Sequence, residues 1–157
     1  MGIKVPLFFL LTLIAECSFA GKGINLPLTA SITLPETSDE IMVELSDNNK
    51  VLRYDDKASS FKPEIIDVNV TRTSGSFDHY SIELAQNSST CDNDNEIVVD
   101  ATINGVELTD ENKVELEFET GQNEDSNPLS LVFSRLEKGD EAYSCEGYIT
   151  LMINILN

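Results

Sequence analysis

The stretch INLPLTASITL, residues 24 to 34, is apolar at every second position: Ile24, Leu26, Leu28, Ala30, Ile32 and Leu34. Asn25, Pro27, Thr29, Ser31 and Thr33 lie between them. A strand points alternate side chains to opposite faces, so one face is a continuous apolar stripe and the other is small and polar. Such a stripe needs a core to receive it. The far end makes the same demand. In GYITLMINIL, residues 147 to 156, Ile149, Leu151, Ile153 and Ile155 form one apolar face. Tyr148, Thr150, Met152, Asn154 and Leu156 form a second face that is itself half apolar. A strand of this kind belongs inside a sheet, because an exposed apolar edge aggregates.

Between the two ends no helical periodicity of useful length occurs. Short alternating or β-branched runs recur instead: 41–45, 50–55, 64–72, 79–85, 96–103, 113–120 and 128–136. Turn-forming clusters separate them, among them SDNN, TSGS, NSSTCDNDN, GQNEDSNP and EKGDE. In INGVEL, Asn104-Gly105 stands between two strand-like runs and predicts a two-residue hairpin. Many short strands at this spacing predict an all-β antiparallel sandwich.

Residues 1–20 read as a secretory signal: Lys4, the apolar run VPLFFLLTLIA, then SFA before Gly21. The run of 11 residues is too short to span a bilayer. Cys17 is expected to leave with the signal, since Glu16 precedes it where a lipidation signal needs a small residue. No second apolar segment approaches membrane length. The remaining 137 residues suffice for one domain with a real core. The chain carries a formal net charge of −18, a surface that repels phosphate backbones and anionic lipids. Neither nucleic acid nor direct membrane binding is expected. After signal removal Cys91 and Cys145 remain, and an even count in an exported chain favours a disulfide. Two free or metal-binding thiols are the alternative, without CxxC spacing or a nearby His to support it.

No catalytic motif emerges. His79 is the one histidine and reads as a surface residue beside Tyr80. GxSxG, P-loop, HExxH and GxGxxG patterns are all absent from the sequence. Asp92, Asp94 and Glu96 crowd one loop that could attract calcium, but it lacks the glycine and distal glutamate of an EF-hand. Solvated loop acids are the simpler reading, and no metal, cofactor or catalytic residue is expected. Asn69 and Asn87 match the glycosylation triplet.

At its start, NLPLTASITLP resembles the mature N-terminus of major fimbrial subunits of the colonization factor antigen I type, assembled by the alternative chaperone–usher pathway. More loosely, KVLRYDDKASSFKPEIIDVNVTR, FDHYSIELAQ, EIVVDATINGVEL and GYITLMINILN resemble later strands of that family. The Cys91/Cys145 pair departs from the pattern. The resemblance implies an incomplete immunoglobulin-like sandwich, residues 36–157, preceded by a donor-strand extension, residues 21–35. It implies that Ile24, Leu26, Leu28, Ala30, Ile32 and Leu34 fill the groove of the next subunit. The groove of this chain would lie beside Ile149, Leu151, Ile153 and Ile155. The implied partners are identical or related subunits, a periplasmic chaperone, an outer-membrane usher and a tip adhesin, with export through the periplasm to cell-surface fimbriae. A self-complete secreted sandwich that binds a ligand or carbohydrate through its loops is the alternative. The two differ in whether the first strand packs within its own chain.

Overall fold

The computed structural model describes residues 24–34, 40–74, 77–92, 95–109, 111–137 and 144–156. The signal segment, Cys17 and Asp94 lie outside the described residues. Every regular element among the described residues is a strand. In chain order they are β1 (Asn25–Thr33), β2 (Ile41–Leu45), β3 (Asn49–Asp55), β4 (Ser60–Phe61), β5 (Glu64–Arg72) and β6 (His79–Cys91). Then come β7 (Val99–Ile103), β8 (Val106–Leu108), β9 (Lys113–Glu117), β10 (Glu124–Phe133) and β11 (Cys145–Leu156).

They form two sheets, one ordered β4-β3-β1-β11-β6-β9 and the other β2-β5-β10-β7-β8. Alternate residues from both sheets meet in one core. Val68, Val70, Leu129, Leu131 and Ile103 come from one side, and Leu26, Tyr80, Ile82, Ile149 and Ile153 from the other, each essentially inaccessible to solvent. The order β2-β5-β10-β7 reproduces strands A, B, E and D of an immunoglobulin sandwich, and β6-β11 reproduces C and F. The molecule is therefore an all-β sandwich of the immunoglobulin-like kind.

Asn104 and Gly105 join β7 to β8 with φ of 51° and 79°. Both values lie in the left-handed region that a type I′ turn demands, and Asn-Gly is the pair that tolerates it best.

Two strands run on through residues that read as turns in the sequence. β6 continues through Asn87-Ser88-Ser89-Thr90 because β11 pairs with it along its whole length, from Leu156↔His79 to Cys145↔Cys91. A register shift between Thr150 and Leu151 leaves Ala85 as the extra residue on β6, a β-bulge. β10 begins at Glu124 because β5 supplies a partner from Thr71 onward. Pairing to a long neighbour outweighs the weak local preference of Ser, Asn and Asp for turns.

A polar cluster is built into the core. The Tyr80 hydroxyl donates to Asp125 Oδ2 at 2.5 Å, and Asn127 Nδ2 donates to the Tyr80 oxygen at 2.7 Å. Asn104 Nδ2 donates to Asn127 Oδ1 at 2.6 Å, which ties the hairpin turn to the same cluster. Burial, reinforced by the bond to Asp125, pushes the Tyr80 phenol well above its ordinary pKa. Its ionised form is disfavoured only in the folded protein. Stability from this site is thus fully present below the unfolded phenol's pKa of about 10 and falls as pH rises above it. Thermal midpoints measured across the alkaline range should decline, and the Tyr80→Phe variant should decline less steeply.

Candidate functional site

The first strand has a seat in its own chain. β1 lies between β3 and β11. It runs antiparallel to β3, from Asn25↔Arg53 to Thr29↔Asn49, and parallel to β11, from Leu28↔Gly147 to Thr33↔Met152. The other eight strand pairings among the described residues are antiparallel. In an immunoglobulin sandwich the place beside strand F belongs to the seventh strand, G, in an antiparallel sheet. Here β1 occupies that place from the opposite end of the chain and in the reverse direction.

The stripe faces inward. Ile24, Leu26, Leu28 and Ala30 are each at most 5% exposed, whereas Ile32 and Leu34 are half-buried. Pro27, Thr29, Ser31 and Thr33 are exposed on the other face. Burying the three larger side chains at 24, 26 and 28 stabilises the seat by about 5–9 kcal/mol before ordering costs. On β11, Ile149, Leu151 and Ile153 are buried and Ile155 is half-buried. Register places Ala30 beside Ile149 and Ile32 beside Leu151, so the two stripes share one face of the sheet.

The two halves of β1 are held differently. Residues 25–29 pair with β3, Leu28 and Thr29 pair on both edges, and the Tyr54 amide donates to the Ile24 carbonyl at 3.2 Å. Beyond Thr29, β3 no longer pairs with β1, and a single bond from the Ala30 amide to the Asn48 carbonyl closes that edge. Residues 30–33 then pair with β11 alone, beside a cleft of about 530 Å³ lined by Ile32, Val43 and Leu45.

Close packing is sharpest at Gly147. A Cβ there would press on the Ser89 hydroxyl and come within 3.2 Å of Leu28 Cδ1. The Ser89 hydroxyl is buried, with no hydrogen-bond partner among the described residues. Gly147→Ala should therefore weaken the seat by about 1–3 kcal/mol through overpacking. Ser89→Ala should be neutral or stabilising, because it removes an unpaired polar atom. Denaturant midpoints of the two variants test both signs.

The flank supplied by β3, with buried Leu52 opposite Leu26, is the part that sequence reading did not assign. Its only sequence signal is the alternation in VLRYD, too short to name a partner. Lys50 on this flank bonds Glu64 Oε2 of the other sheet at 2.9 Å, and that bond raises its pKa.

Cys91 and Cys145 form a disulfide between directly paired residues of β6 and β11. It closes the end of the β6–β11 ladder two residues from Gly147. His79 is exposed at the start of β6, opposite Glu117 and Leu156. No group of three or more His, Cys, Asp or Glu side chains suited to a metal occurs among the described residues. Asn69 accepts a hydrogen bond from the Ser126 hydroxyl at 2.7 Å, and Asn87 Nδ2 donates to the Val99 carbonyl at 2.6 Å.

Fold and site together define an immunoglobulin-like β-sandwich with its seventh-strand seat filled by the chain's own first strand. No protein-family model matches the sequence. No curated protein matches it. Among solved structures the chain is similar to the CooA pilin subunit from enterotoxigenic Escherichia coli, with 13% identity and a TM-score of 0.48 over 75% of this chain and 99% of that one.

Proposed function

We propose that this chain is a structural subunit of an adhesive fimbria that polymerises by exchanging its N-terminal strand. The observation that carries the reading is the seat itself. The segment at residues 24–30 contributes four core side chains, Ile24, Leu26, Leu28 and Ala30, to a slot between β3 and β11. Identical subunits carry identical slots and identical strands, so a strand from one copy fits the slot of another. Such a contact is head-to-tail, does not close, and propagates a filament. The resemblance of NLPLTASITLP to fimbrial N-termini supports the same reading from the sequence.

On this reading residues 1–20 direct export and are removed, residues 21–35 form the exchangeable extension and residues 36–157 the receiving body. A periplasmic chaperone fills the slot in transit, an outer-membrane usher receives the subunit, and a tip adhesin can occupy the end of the cell-surface fibre. The role is structural rather than catalytic.

A second reading has one observation in its favour: β1 packs within its own chain, paired with β3 over residues 25–29 and with β11 over residues 28–33. In that case the chain is a self-complete secreted sandwich that binds a ligand or carbohydrate through its loops. Deleting residues 24–34 separates the two. The fimbrial subunit lacking its strand should still co-purify with the chaperone and form no fibres under electron microscopy. The self-complete sandwich should unfold and give no chaperone complex.

A further inference from the structure

We propose that β1, seated in its own slot, is a built-in cap that keeps the free subunit monomeric and competes with any incoming strand. The inference rests on the exchange reading above for its biological use, although the cap itself can be tested without fibres. The geometry that supports it is the placement of both partners in one chain. Seven residues, 34–40, link the end of β1 to the start of β2. A link this short holds the strand at an effective concentration on the order of millimolar beside the slot. An incoming strand at about 10 μM with equal intrinsic affinity would then hold only about one slot in a hundred.

The cap also meets both flanking strands. Leu26 faces Leu52 across β3, Ala30 faces Ile149 across β11, and the polar face stays in water. Two exposed contacts complete it. The Thr29 hydroxyl bonds Asn49 Oδ1 at 3.3 Å, and the Ser31 and Thr150 hydroxyls bond each other at 3.0 Å. These contacts mark positions where the seated strand can be trapped.

The experiment uses the mature full-length chain carrying Thr29→Cys and Asn49→Cys, with each single variant as control. A second pair, Ser31→Cys and Thr150→Cys, traps the other edge should the first fail to fold. The probe is a labelled peptide spanning residues 24–34. The expected result is a disulfide within one chain, shown by peptide mapping of the monomer, and loss of all peptide uptake by the linked protein. A Leu28→Asp subunit, whose own strand is a poor fit, should instead take up the wild-type peptide at least about tenfold more than wild type, because the competitor is removed.

Links between chains, absence of any link in both pairs, or peptide uptake by linked protein equal to the controls would overturn the cap. Linked monomers that exclude the peptide, while unlinked subunits never form fibres with the chaperone and usher present, would leave the cap standing and remove the fimbrial reading.

Discussion

Leu28→Asp is expected to expel the first strand from its seat, at a cost of at least about 3 kcal/mol. Leu28 is 2% exposed, faces the core and pairs with Gly147 on β11. An aspartate there loses the packing of a leucine and places a carboxylate in the apolar core. Ile32→Asp should act in the same direction but less strongly, since Ile32 is half-buried beside the open cleft. Thr29→Asp and Ser31→Asp should each change stability by less than about 1 kcal/mol, because both side chains lie on the exposed face. Thermal denaturation ranks the four variants. Electron microscopy then reads the consequence for assembly. Leu28→Asp subunits should bind chaperone and extend no fibre, because the stripe they offer a neighbour no longer fits. Normal fibres from Leu28→Asp would sink the exchange reading.

Replacing Cys91 and Cys145 together by alanine is the second change with a large expected effect. The bridge closes a loop with a sequence separation of 54. In the chain-entropy argument, opening such a loop costs about 4 kcal/mol, through greater freedom of the unfolded chain. Both cysteines are buried, so alanine also removes some packing. The effect should reach the slot, because the bridge fixes the end of β11 that flanks Leu28. Denaturant midpoints of the double variant should fall well below wild type, and the Leu28 seat should loosen further. An unchanged midpoint, with both thiols of wild type shown to be linked, would count against an unfolded-state origin for this stabilisation.

The strand at 24–34, its inward face and the Asn104-Gly105 hairpin were all legible in the sequence, because each is decided within a few residues. The pleat alone imposes the period of two, and a type I′ turn selects Asn-Gly through backbone sterics at two positions. Those causes act locally, so the letters carry them. Sheet membership is another matter. Asn87–Thr90 and Glu124–Asn127 have turn-like compositions, yet they extend β6 and β10, because β11 and β5 lie alongside to pair with them.

The same distinction governs the candidate site. Alternation marks Leu26, Leu28 and Ala30 as core residues but says nothing about which core, which neighbours or which direction. The pairing of Ala30 with Ile149 and of Leu26 with Leu52 joins segments far apart in the chain. A stripe of period two fits a slot equally well by its spacing whether it runs up or down. Only the packed structure, with β3 on one edge and β11 on the other, decides that β1 runs parallel to β11. The reason is physical: face is set by the backbone of one strand, whereas partner and direction are set by hydrogen bonds and side-chain contacts that exist only once distant strands have met.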